Sequence, residues 1–101
     1  MDYQLSIITP NGKIFEESIS ALQAPGVAGG FGILGGHVPM VAALQKGVLK
    51  LTQAGQELFF GISAGILEVN HEHNVLILSD SVVESKNLED AILHAKTIEN
   101  N

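Results

Sequence analysis

Apolar and polar residues alternate with a period of two through most of the first 80 positions. Tyr3, Leu5 and Ile7 alternate with Asp2, Gln4 and Ser6, which places the apolar set on one face of a strand. Pro10-Asn11-Gly12 predicts a turn, and Ile14-Phe15 opens the returning strand. Ser18 to Leu22 repeats the alternation more weakly. Met40 to Leu44 is apolar throughout, which predicts a strand buried on both faces or a bulged one. Residues 47–52 and 57–62 flank Gln53-Ala54-Gly55-Gln56 and predict a hairpin with a short glycine-containing loop. Residues 66–69 and 75–78 flank Asn70-His71-Glu72-His73-Asn74 and predict a second. Short strands divided by turn signals indicate an all-β sandwich or barrel.

The period changes near residue 86. Asn87 has the chemistry of an N-cap, with Asp90 three residues on. Leu88, Ala91, Ile92, Ala95 and Ile98 then form one helical stripe, with Glu89 and Asp90 in the first turn, where the helix dipole favours anions. A helix of about 12 residues is marginal alone in water, so it must pack on the sandwich or on a partner. The organisation expected is a β-sandwich domain over 1–85 and a short helix with its tail over 86–101.

Between these patterns lies a segment that neither period describes, Ala24 to Pro39, with six glycines in sixteen residues. Average usage is about 7% glycine. Ordering so many glycines costs conformational entropy, so they are expected to serve backbone shape or close approach to a partner. A phosphate cradle is one reading of such a run. No Gly-Lys-Ser/Thr follows it, and Gly-Phe-Gly lacks the dinucleotide spacing.

Composition narrows the function classes. With 101 residues, 46% hydrophobic and 16% charged, the chain forms one domain with a single core. It has no cysteine, hence no disulfide, thiolate metal site or thiol nucleophile. A net charge of −6 with five scattered lysines and no arginine opposes nucleic acid and anionic lipid. No apolar stretch approaches the roughly 18 residues that a membrane span needs, so no direct membrane insertion is expected. The N-terminus has neither the basic nor the apolar region of a signal peptide. His71 and His73 could offer two imidazoles to a metal, with His37 or His94 as a third ligand, although polar residues suit a hairpin tip without one. Ser63, Ser79 and Ser81 lack a local signature that would bring them to a base, and Asp80 reads as a turn residue. No catalytic residue, metal or cofactor is expected.

Several segments together resemble the ε subunit family of bacterial F-type ATP synthase, along nearly the whole chain. They are Pro10-Asn11-Gly12 with Phe15, Gly29 through Pro39, residues 44–49, 63–69 and 78–81. Common singly, they are specific in this order and spacing. The resemblance implies an all-β sandwich of about ten short, mostly antiparallel strands, followed by one short C-terminal α-helix. It implies a non-catalytic rotor subunit of the central stalk, on the cytoplasmic face of the bacterial inner membrane within the F1 sector. Its partners would be the γ subunit and the polar loops of the c-ring, with the catalytic β subunits as further neighbours. By the same resemblance, Gly29, Gly30 and Phe31 form a loop facing the c-ring, and His37, Val38, Pro39 and Ala42 belong to the γ contact. Some family members carry an acid at the position of Gly30, and glycine here removes that charged contact. Ala64 stands where a second glycine is common before Gly65. Many members continue into a pair of inhibitory helices. This sequence ends at Asn101, so the expectation is a coupling subunit without that brake. A stand-alone anion- or ligand-binding sandwich is the competing reading.

Overall fold

A computed structural model describes residues 1–98; the end of the expected tail, 99–101, lies outside the described residues. Ten strands precede one helix: β1 (Tyr3–Thr9), β2 (Gly12–Ile19), β3 (Ala21–Gly26), β4 (Gly29–Leu34), β5 (Met40–Leu44), β6 (Gly47–Gln53), β7 (Gln56–Ile62), β8 (Gly65–Val69), β9 (Val75–Ser79), β10 (Val82–Ser85) and α1 (Leu88–Thr97). The ladder runs β10-β7-β6-β3-β5-β8-β9-β1-β2, with β4 added on β3. All pairings are antiparallel except β1 with β9. Along the ladder the two halves are joined at one residue pair, Gly26 with Leu44. The result is a sandwich that nearly closes into a barrel, as expected from the short-strand pattern.

The inner faces hold what the alternation assigned to them. Tyr3, Leu5 and Ile7 are buried with Leu49, Leu51, Phe60, Leu67 and Ile77 in one core. Phe60 is 1% exposed and meets Phe15 edge to face, with ring centroids 5.7 Å apart and planes at 76°. Such pairs add to the area that they bury.

The turns follow their chemistry. Ala54 and Gly55 both take positive φ, 50° and 78°, as a two-residue hairpin between β6 and β7 requires. In the β8–β9 turn, Asn70 Oδ1 accepts from the backbone N–H of Glu72 and of Asn74 at 2.9 and 3.0 Å. These polar side chains therefore build the turn itself.

Three expectations need correction. The segment from Ala24 to Leu34 is not a loop: it forms the end of β3, a tight turn and the whole of β4. Gly29, Gly30 and Phe31 are thus the first residues of a strand. Glycine hid this, because a strand without side chains shows no alternation. Second, β5 is neither buried on both faces nor bulged: Val41 is 70% exposed while Leu44 is buried, and its register with β8 is unbroken from Met40–Val69 to Leu44–Gly65. Third, the helical stripe is narrower than read. Ala91, Ala95 and Ile98 are buried, but Leu88 and Ile92 remain partly in solvent. The cause is Gly61 beneath the helix, where an added Cβ would lie 2.9 Å from Ala95 N and 3.0 Å from Ala91 O. The helix backbone descends onto β7 there, so small residues line the contact.

Burial also sets an alkaline limit. Burial pushes the Tyr3 phenol up from 10.0 to about 12, and its hydroxyl donates to Ile33 O at 2.6 Å. The folded state holds this proton more tightly than the unfolded chain. The stability tied to this proton is complete below pH 10 and is lost as pH rises towards 12. Tyr3 is the only tyrosine and there is no tryptophan, so ultraviolet titration reads this group alone. Ionisation at the ordinary value, or an unchanged alkaline melting profile for Tyr3→Phe, would refute the assignment.

Candidate docking surfaces

All but one of the residues expected to face two partners lie at opposite ends of β4; the exception, Ala42, lies on β5 beside Ala43, whose carbonyl accepts from Val27 N of the β3–β4 turn at 3.0 Å. Gly29 follows the β3–β4 turn at one end, and His37, Val38 and Pro39 follow β4 at the other. A six-residue strand spans about 17 Å, so the two groups are not brought together. The first end is shaped by its turn. Gly26 accepts no Cβ, which would meet Gly29 O at 2.6 Å, and Gly29 has φ +126°.

At the other end, His37 Nδ1 lies 2.8 Å from Val38 O, and His73 Nδ1 lies 2.9 Å from His37 O. A carbonyl only accepts, so each Nδ1 carries hydrogen and donates. The second bond ties the segment before β5 to the β8–β9 turn, and the first orients the His37 ring within that segment. Val38 is 67% exposed, which leaves it available to a neighbour. Ala42 shares the inner face of β5 with Met40 and Leu44, whereas Val41 and Ala43 point outward.

That outward face holds residues that sequence reasoning missed. Register aligns Ala43 with Ile66, Ile66 with Leu78, and Leu78 with Ile8 across β5, β8, β9 and β1. Ile66 is 51% and Leu78 45% exposed. Beside them a shallow depression of about 340 Å³ is lined by Ile8, Pro10, Ala64, Ile66, Leu78 and Asp80. Ile66-Leu67 did carry a signal: a strand with one wet face needs only every second residue apolar. A contiguous apolar row on the outside marks an interaction surface more than scattered exposed residues do.

The candidate chemistry resolves into structural bonding. Ser63 Oγ and Ser79 Oγ are 2.7 Å apart, Ser81 N donates to Ser63 Oγ at 3.1 Å, and Ser63 N donates to Ser81 O at 3.0 Å. The three serines close the strand ends at the entry to β8 and the exit of β9. Ser85 Oγ instead meets His94 Nδ1 at 2.6 Å and fastens α1 to β10. Among the described residues, no group of three or more His, Asp or Glu is arranged to hold a metal ion. No described helix is long and apolar enough to cross a membrane.

Fold and surface together define a small β-sandwich module with an outward apolar row on one sheet face and a helix folded onto one side. The profile of the family described as "ATP synthase, Delta/Epsilon chain, beta-sandwich domain" matches residues 2–85. The ATP synthase epsilon chain of Helicobacter acinonychis is 37% identical over 99 residues, covering 94% of this chain and 80% of that one. The epsilon chain of Anaeromyxobacter sp. is 37% identical over 81 residues, covering 80% and 61% respectively. Among solved structures, a chain of the Euglena gracilis mitochondrial ATP synthase (OSCP/F1/c-ring) superposes with a TM-score of 0.78 at 26% identity, covering 82% of this chain and 53% of its own. A chain of the Tetrahymena thermophila mitochondrial ATP synthase central stalk and c-ring shares the fold, with a TM-score of 0.70 at 16% identity. The chain belongs to the ATP synthase delta/epsilon family. Its role is that of a rotor subunit in the central stalk.

Proposed function

We propose that this chain is a non-catalytic coupling piece of the rotor, seated on γ through its outer apolar sheet face and resting on the c-ring through the β3–β4 end. The observation that carries the reading is the outward row of exposed Ala43, Ile66 and Leu78 and half-buried Ile8, continued by Val41. His37, Val38 and Pro39 extend the γ-facing surface at one end, and Ala42 supports it from the inner side. Gly29, Gly30 and Phe31 form the ring-facing end, one strand length from His37, Val38 and Pro39 and bordering the row at Ala43, whose carbonyl accepts from Val27 N of the β3–β4 turn at 3.0 Å.

Torque transmission requires stiffness, and a single close-packed core with hydrogen-bonded turns supplies it. The position proposed with it is in the F1 sector, on the cytoplasmic face of the bacterial inner membrane, with the catalytic β subunits as further neighbours. An anion-binding role gains no support from the glycine run, most of which forms the extended β3–β4 hairpin rather than a loop of N–H groups converging on one point. The test is co-purification. A tagged copy is expected to retain γ through washing, and a chain recovered alone in the presence of γ would defeat the proposal.

A further inference from the structure

The unassigned feature with the clearest chemistry is the open edge of β4. Gln45 N donates to Pro25 O at 2.8 Å and Val27 N to Ala43 O at 3.0 Å, so Pro25 and Val27 turn their backbone groups towards β5. Alternation then directs Leu22, Ala24 and Gly26 at β4, where they pair with Ile33, Phe31 and Gly29. Gly30 and Gly32 point their N–H and C=O the other way. β4 pairs only with β3 among the described residues, and both glycines are exposed.

Natural edge strands are usually guarded by a lysine, a proline or a bulge. β4 has none of these, and its register with β3 is unbroken from Ala21–Leu34 to Gly26–Gly29. Nor does the fold itself demand these two glycines. A Cβ at Gly30 or Gly32 would lie 3.7 or 3.6 Å from the nearest carbonyl, which is ordinary contact, and neither has positive φ. Their missing side chains leave the strand bare, as close approach of another backbone requires. Charge is missing as well: no Asp, Glu, Lys or Arg occurs between Glu17 and Lys46. Nearby, Lys50 is already paired with Glu57 at 3.2 Å.

We infer that the c-ring contact of this chain is made by strand addition: an extended stretch of a ring polar loop hydrogen-bonds to the backbone of Gly30 and Gly32, without an ion pair. This rests on the reading of Gly29 to Phe31 as the ring-facing segment, and adds how the contact is made. Backbone pairing needs no particular loop side chain and is little affected by salt, unlike exposed charge pairs.

Hydrogen exchange tests this without altering the strand. The free chain and the fully assembled enzyme are exchanged in parallel, then read residue by residue by mass spectrometry. Assembly is expected to slow the Gly30 and Gly32 amides at least about tenfold. In a second arm, Ala28→Cys at the turn is cross-linked to a cysteine in the ring loop. Its yield is expected to stay within about twofold between roughly 0.05 and 0.5 M salt. A cross-link with unprotected glycine amides overturns strand addition and leaves the ring-facing reading intact. A yield that collapses with salt overturns the contact without ion pairs. Absence of any cross-link in the assembled enzyme overturns the reading and the inference together.

Discussion

Phe60→Ala is expected to cost about 3–5 kcal/mol of folding stability, the usual range for removing a buried aromatic ring. Phe60 is 1% exposed, pairs across the ladder with Leu49, and meets Phe15 at 5.7 Å. The two rings come from β7 and β2, in opposite halves of the sandwich, so the cavity would open between the sheets. Domains of this size have about 5–15 kcal/mol in total, so the variant should melt roughly 15–30 °C lower. Phe59→Ala provides the contrast. It removes the same ring one residue earlier, on the face shared with Gly61 and α1, where Phe59 is only partly buried. That variant should lose clearly less. Urea unfolding of both variants decides the matter, and equal costs would mean that the core does not lie where β7 places it.

The same pair shows how the sequence conveys this fold and where it falls silent. Adjacent phenylalanines suit a strand with both faces covered, and β7 has the core beneath and a helix above. Turn chemistry was legible because it is local: Pro10-Asn11-Gly12, Ala54-Gly55 and the Asn70 turn act within a few residues. The Asn87 cap was legible for the same reason, its side chain accepting from Asp90 N at 2.9 Å. By contrast, β4 is defined by a ladder with β3, and Gly30 and Gly32 have no side chains to show which face they turn inward. The helical stripe overstated the buried face because its width depends on Gly61, far away in sequence. Leu88 and Ile92 match the helical period as well as Ala91 and Ala95 do, so the pattern alone could not separate them.

The docking face was obscured for a related reason. Apolar residues on both sides of β8 look like a doubly buried strand, and a sequence does not say whether the second cover is the chain itself or a partner. Here Leu67 is fully buried and Ile66 is half in solvent. That contrast makes Ile66 the most informative site for a charge. In the free chain an aspartate at 66 stays hydrated, so folding should change by no more than about 0.5 kcal/mol. Against an apolar partner the same carboxylate must lose water with no cation beside it. Ile66→Asp should therefore weaken γ binding by at least about 2 kcal/mol, roughly thirtyfold in Kd. Leu78→Asp should act alike, and the double variant should fall short of the summed effects because the residues are register neighbours. Titration of γ with each variant, beside urea unfolding of the free chains, separates docking from stability. If Val38→Asp abolished binding while Ile66→Asp bound like the unmodified chain, the contact would be confined to the segment before β5. The apolar row would then need another occupant.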